Sequence, residues 1–508
     1  MSSLWRTKSI EQSISDTDEP GRRLKRTLGP WDLTIFGVSV VVGAGIFTVA
    51  AETAGDYAGP AVMISFVIAA VACGLAALCY AEFASTLPVA GSAYTYSYAT
   101  MGEFIAWIIG WDLVLEFSVA AGVISKGWST YLQEATAQIG VHLTSNVPIG
   151  PWKLGPITID SFDWGAVLLV VVLSAILAAG MSLSAKVNTV ITAIKVSVVL
   201  LVIVVGAAYI VPSNWVPFVP PSKPAPPEAS GLESSLFSYL LGDAGVTYGW
   251  YGVLAGASIV FFAFIGFDIV ATTAEETRDP QRNMPRGILG SLAIVTVLYI
   301  GTALAITGMQ KYTDLATTPD GETSTLATGF AAHGVDWAVI LVSFGALIGL
   351  TTVTLVLLLG QSRVLFAMSR DRLLPASWSK TGGRGTPVRI TVGIAVLVSI
   401  LAGFFDADEL GEMVNVGTLF AFVLVSIGVI VLRRKRPDLE RGFRAPLVPL
   451  VPILAVVACV WLMLNLTALT WLRFVGWLLI GLVIYFVYGV RHAKLRGKDR
   501  DDSGASNT

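Results

Sequence analysis

Cysteine is nearly absent from the 508 residues: Cys73, Cys79 and Cys459 all fall in apolar runs, which excludes a disulfide framework or a thiolate metal site. Histidine is as scarce. His142, His333 and His492 are far apart and outside those runs, so no run holds the imidazole that an intramembrane hydrolase or metal centre would use. No enzymatic activity, metal or organic cofactor is expected. Charge is the third scarcity, with Asp, Glu, Lys and Arg making up 13% of the chain where a soluble domain carries about 25%. The formal net charge of −2 says nothing about partners, because charge is sorted between the two ends of the apolar runs. No nucleic-acid partner is expected.

Apolar runs fill the space. Hydrophobic residues make up 54% of the chain, and twelve long runs stand near 31–54, 60–86, 104–135, 164–181, 187–211, 252–276, 286–308, 337–368, 388–404, 411–433, 447–469 and 472–490. Runs of this length span a bilayer as helices, so the reading is an all-α polytopic membrane protein with about 12 transmembrane helices. The lipid bilayer is then its first partner. Of the 33 Lys and Arg residues, 26 fall in the first 30 residues, in alternate loops and in the C-terminal tail, and four fall in the other loops. Positive loops stay inside, so both termini are expected to be cytoplasmic, in the plasma (cell inner) membrane. The first 28 residues are polar and mixed in charge, so the first run is expected to be an uncleaved insertion signal. The Pro-rich stretch "VPPSKPAPPEASG" reads as an outside loop.

Two runs are interrupted. The first breaks at Gly43, Ala44 and Gly45 in "VVVGAGIF", and the sixth carries Gly266 and Asp268 in "FFAFIGFD". At mid-membrane depth irregular backbone survives only where it is buried or lines a cavity. A pair of interruptions in corresponding positions of two halves points to an inverted-repeat transporter with its site at the midplane. Ionisable groups inside runs are the second signal, since a charge at the bilayer centre costs about 2.5 to 3.5 kcal/mol. Glu116 lies near the middle of the third run and is read either as a partner for a substrate ammonium or cationic side chain, or as a buried acid bonded to a neighbouring helix. Lys126 and Arg363 lie nearer helix ends and are expected to snorkel.

The stretches "GVSVVVGAGIF", "LPVAGSAYTYSYATMGEFIAWIIGWDLVLEFSVAAGVISKGW", "FFAFIGFDIVATTAEETRDPQRNMPRGI" and "TTVTLVLLLGQSRVLFAMSRDRLLP" together resemble the amino acid, polyamine and organocation transporters, specifically their cationic amino acid transporter branch. The resemblance runs from about residue 27 to 490. It implies the leucine-transporter-like core of a 5+5 inverted repeat with broken helices 1 and 6, plus two extra helices. The corresponding division is an N-terminal tail 1–29, a first repeat 30–211, an outside loop 212–251, a second repeat 252–433, helices 11 and 12 in 434–491, and a tail 492–508.

On that resemblance, unwinding at Gly43, Ala44, Gly45 and Ile46 is expected to present backbone N–H groups to an amino acid carboxylate at a half-helix N-terminus. Relatives often carry a hydroxyl residue where this chain has Ala44, so no side-chain bond is expected from that position. Carbonyls around Phe262, Ala263 and Ile265 are expected to accept the substrate ammonium. Asp268 corresponds to an acid at the inner gate of relatives, with substrate contact and structural pairing both open. Lys195 resembles the fifth-helix lysine that stands in for sodium in proton-coupled members. Its ammonium is expected to reach the first helix and hydroxyls such as Thr351 or Thr352 of the eighth, and burial suits it to gain and lose a proton. The expected function is an L-amino acid permease working by proton symport, with cationic or broad substrates. An exchanger, or a non-transporting sensor on the same fold, is the alternative.

Overall fold

Within a hydrocarbon environment a backbone must satisfy its own hydrogen bonds, and helices are what a single chain of this composition can form. The computed structural model describes residues 6–7, 27–43, 45–87, 89, 92–154, 157–180, 185–225, 231–242, 246–317, 324–380, 382 and 386–493. Among these, eight helices are long and apolar enough to cross a membrane. Pro30–Val41, Trp164–Ala178, Val388–Phe404 and Leu450–Leu464 are shorter apolar helices.

These pieces make the twelve expected spans. The first consists of an arm nearer the basic end, Pro30–Val41, called the inner arm, and an arm nearer the opposite end, from Gly45 to Ala58, called the outer arm; it is followed by a turn at Gly59 into the second, Val62–Thr86. Gly59 has φ +63°, a conformation that costs glycine little, and Pro60 follows it. The third to fifth spans are Glu103–Gln138, Trp164–Ala178 and Ala185–Gly206. The sixth runs from Gly249–Val260 into the tighter turns Phe261–Phe264 and Asp268–Glu276. Pro280–Met309, Asp336–Arg370, Val388–Phe404, Ala407–Lys435, Leu450–Leu464 and Ala468–Ile484 complete the set. A hairpin of β1 (Asn146–Leu154) and β2 (Ile157–Asp163) joins the third span to the fourth. Asp163 then caps the fourth span by accepting from the Ala166 N–H at 3.0 Å.

The third span packs along the eighth and tenth, and the seventh along the second and the inner arm of the first. Apolar side chains such as Val71, Val171, Val204, Val297 and Val483 stay exposed on the periphery, as expected where the surrounding solvent is lipid rather than water. The buried Glu82 carboxylate ties the basic end together: Arg433 donates to it at 2.8 and 2.6 Å and the Ala445 N–H at 2.8 Å, and Arg441 pairs with it at 3.3 Å. The twelfth span docks on the third through the Trp111–Trp477 stack, with ring centroids 4.5 Å apart, and through Trp107 Nε1 donating to the Gly481 carbonyl at 2.9 Å.

Candidate functional site

The inner arm of the first span ends at Val42, whose N–H closes the last turn on Val38 O at 2.9 Å. Beyond it the chain changes geometry: Ile46 and Phe47 N–H both reach the Gly43 carbonyl, at 3.2 and 3.4 Å, and Gly45–Val49 winds as a wider π turn. Ala44 lies outside the described residues. In the sixth span Ile265 leaves the helix in extended geometry, its N–H on Phe262 O at 3.2 Å, and Gly266 stands at φ +117°. That angle is open to glycine and strained for other residues.

The two breaks touch. A Cβ on Gly45 would lie 2.2 Å from the Ala263 Cα, and one on Gly266 would lie 2.7 Å from a Val40 methyl. Tyr299 of the seventh span fastens the junction, its hydroxyl standing 2.7 Å from Val41 O and 2.8 Å from Ala263 O. One hydroxyl has one proton to donate, so it is shared between the breaks. Gly43 differs from Gly45, for a Cβ there would meet only the Val353 side chain, at 3.4 Å or more.

Around the junction lies a cavity of about 20 Å³ lined by Val40, Val41, Gly43, Gly45, Ala120, Ile124, Phe262, Ile265, Val353 and Leu357. Its walls are apolar apart from backbone, and its volume suits about one water. Larger cavities lie beyond it on either side. One of about 220 Å³, toward the basic end, is lined by Asp32, Asn188, Thr273, Glu276 and Arg363 among others. Another, of about 120 Å³, lies toward the opposite end and shares Phe262 with the central cavity.

Of the residues singled out from the sequence, Gly43, Gly45, Phe262 and Ile265 line the central cavity, and Ala263 and Ile46 are buried beside it. The Phe262 carbonyl takes Ile265 N–H and the Ala263 carbonyl takes Tyr299; each oxygen keeps a second lone pair for a further donor. Lys195 is fully buried, and its Nζ donates to Ser39 O of the inner arm at 2.7 Å. Its stem packs on the eighth span, where a Cβ on Gly349 would meet Lys195 Cγ at 3.2 Å. Thr351 and Thr352 hydroxyls bond instead to carbonyls of their own helix, Leu347 O and Gly349 O, both at 2.7 Å. Arg363 pairs with Glu276 at 3.3 Å.

Glu116 and Asp268 are buried but do not line the central cavity. Glu116 lies four residues, about 6 Å along the helix, from Ala120, on the same stripe of the third span. Its carboxyl stands beside the Thr418 hydroxyl of the tenth span, and the charges it faces are Asp268 and Asp112. Asp112 was not singled out from the sequence. Its spacing of four from Glu116, both acids on one face of a membrane helix, was the available signal. Tyr299 carried none, because a tyrosine in an apolar run looks like packing until its hydroxyl is seen between two breaks.

The sequence profile described as "Amino acid permease" matches residues 28–489. The chain is 42% identical to the branched-chain amino acid permease BcaP of Bacillus subtilis over 97% of this chain and 99% of that protein. It is 40% identical to the methylthioribose transporter of the same organism, over 97% of this chain and all of that protein. To the vacuolar cationic amino acid transporter 4 of Arabidopsis thaliana it is 36% identical, over 86% of this chain and 68% of that protein.

Proposed function

The chain belongs to the amino acid permease family, and from that premise we propose that it is a proton-coupled symporter of neutral aliphatic L-amino acids. It is a transporter, not an enzyme. Two related repeats, 30–211 and 252–433, would carry the site between them, with the basic end facing the cytoplasm of a bacterial cell. The relatives do not decide the substrate, because those of nearly equal identity are named for branched-chain amino acids and for methylthioribose.

The observation that carries the substrate reading is the lining of the central cavity. Val40, Val41, Ala120, Ile124, Val353 and Leu357 offer a side-chain pocket without charge, and a cationic side chain buried there would have no partner. The backbone of the two breaks supplies the polar contacts, carboxylate to the start of the outer arm and ammonium to the sixth-span carbonyls. Glycine at 43, where a Cβ would meet only the Val353 side chain, keeps that backbone open to a ligand.

Coupling is read from Lys195. Protonated, its ammonium holds the inner arm through Ser39 O while its stem lies on the eighth span; neutral, it holds that carbonyl less strongly and lets the arm move. A proton that stabilises one state over the other is what coupling requires. Uptake by purified protein in liposomes, with labelled leucine, alanine and arginine and an imposed pH gradient, tests both parts. Leucine should accumulate against its gradient when the outside is acid, arginine should not, and Lys195→Ala should lose the gradient-driven component while retaining leucine binding. Accumulation that depends on sodium and ignores pH, or that survives Lys195→Ala, would exclude this coupling. Leucine–leucine exchange without net uptake would favour the exchanger.

A further inference from the structure

Lys195 is not alone in reaching Ser39 of the inner arm from the fifth span. Ser39 Oγ donates to Asn188 Oδ1 at 2.9 Å, while Lys195 Nζ donates to the Ser39 carbonyl at 2.7 Å. Asn188 and Lys195 are seven residues apart on Ala185–Gly206, which sets them about two turns apart on one face of the helix, about 10 Å along its axis. A long side chain leans toward the N-terminus of its helix, so the lysine ammonium comes down to the residue that the shorter asparagine already holds. One buried serine, 1% exposed, is thus gripped by its hydroxyl and by its carbonyl from the same span.

The direction of the Ser39 hydroxyl is informative. Thr34 of the same arm, and Ser118 and Ser125 of the third span, turn back to the carbonyl four residues earlier, the usual resort of a hydroxyl inside an apolar helix. Ser39 donates across to another span instead. When the arm moves, that hydroxyl has the Ile35 carbonyl, four residues back, to turn to, and Asn188 lines the cavity of about 220 Å³ at the basic end, where water can meet its oxygen. Opening this contact therefore costs only the exchange of one neutral hydrogen bond. The Lys195 contact differs, because it depends on charge. Among the described residues, the charged ones on the elements packed against the fifth span are Asp32 of the inner arm, Arg282 and Arg286 of the seventh span and Asp336, Arg363 and Arg370 of the eighth. None of them acts on Lys195, whose charge answers to burial alone.

We infer that Asn188 is a positioning residue for the inner arm: with Ser39 it forms a clasp that does not depend on the proton, and its strength sets the balance between held and released arm on which Lys195 acts. The inference rests on the coupling reading of Lys195. A proton switches a two-state element only when the two states lie close in free energy without it, and a neutral contact beside the lysine is a means of setting that gap. The two contacts reinforce each other, since each keeps the arm where the other can form. Weakening the clasp means that more acid is needed for the same occupancy of the held state. Asn188 does not line the central cavity, so it acts on transport through the arm and not through contact with leucine.

Initial rates of leucine uptake in liposomes test it, taken against pH with the same pH on both sides of the membrane. In the wild type the rate should rise toward acid through a half-maximum. Asn188→Ala and Ser39→Ala should each move that half-maximum toward acid by about 0.5 to 1 pH unit, the scale of one neutral hydrogen bond. The double variant should move it no further than either single one, because one bond joins the two residues. Ser39→Thr, which keeps the hydroxyl, should stay at the wild-type position. If one single variant does not reconstitute, the other carries the same readout. Wild-type half-maxima in the single variants, shifts that add in the double variant, or a Ser39→Thr curve as acid as that of Ser39→Ala would each overturn the clasp. Lys195→Ala separates the two readings. Proton-driven accumulation that survives in it would overturn the coupling reading and the clasp with it; loss of accumulation there, with wild-type curves for Asn188→Ala and Ser39→Ala, would overturn the clasp alone.

Discussion

The two interrupted spans solve one problem in different ways. In the first, the interruption is local: an α-helical inner arm stops at Val42, and helix resumes at Gly45 as a π turn. In the sixth, only the segment before Phe261 is α-helical, and 3-10 turns stand on either side of the Ile265–Gly266 kink. A wide turn and a tight turn both offset carbonyls from the usual i to i−4 ladder, and each leaves backbone at the centre of the bundle able to meet a ligand. The glycines reflect this difference. Gly266 is required by its own backbone angle, whereas Gly45 is required by what it touches.

The largest effect should come from the contact between the breaks. Gly45→Val places a side chain inside the backbone of Ala263, and it should cost more than about 3 kcal/mol of stability, at the upper end for overpacking, and remove leucine binding. Thermal unfolding of the detergent-purified variant reads this. The same assay on Gly43→Ala sharpens the contrast, with an expected change within about 0.5 kcal/mol because a Cβ there meets an ordinary methyl contact. Equal damage at the two positions would mean that the breaks do not meet through Gly45.

Gly266→Ala comes next, at about 1 to 3 kcal/mol for a strained positive φ. A melting temperature like that of the wild type would show that the sixth-span kink does not need the glycine conformation. Tyr299→Phe ranks third, at about 1 to 2 kcal/mol, because it strips one hydroxyl from two carbonyls while keeping the ring. Its leucine affinity should fall along with stability, whereas a peripheral Tyr→Phe change should lower neither.

The smallest effect is expected at Glu116. Its carboxyl lies about one turn from the cavity wall at Ala120, so Glu116→Gln should alter leucine affinity by less than about 0.5 kcal/mol. A loss above about 1 kcal/mol, especially for arginine over leucine, would return Glu116 to the role of substrate partner that its place in the third run first suggested.

The spans and the two interruptions were legible because a bilayer imposes a long apolar run on every crossing and makes a glycine-rich gap within such a run conspicuous. Lys195 and Glu116 were legible for the same reason, as charges where charge is expensive. Glu52, Asp408 and Asn415, which line the cavity beyond Phe262, were not, since they lie near span ends where polar residues are common and Glu52 and Asp408 are 356 positions apart in the sequence. Thr351 and Thr352 show the converse. Residue type and helix position made them suitable partners for Lys195, but their hydroxyls turn back to carbonyls of their own helix, a choice set by rotamer and local geometry.

By itself, then, the sequence determined a helical membrane bundle, the positions of its two breaks and a lysine, Lys195, deep in a span, because each comes from one residue's cost against a uniform apolar solvent. The tertiary structure decided which carbonyl the lysine meets, that Gly45 serves the contact with Ala263, that Tyr299 joins the breaks, and that the central cavity is apolar while an acidic one lies beyond Phe262. Those facts depend on how distant spans are rotated and set against each other, and rotation about a helix axis is fixed by packing between helices rather than by the composition of any one of them.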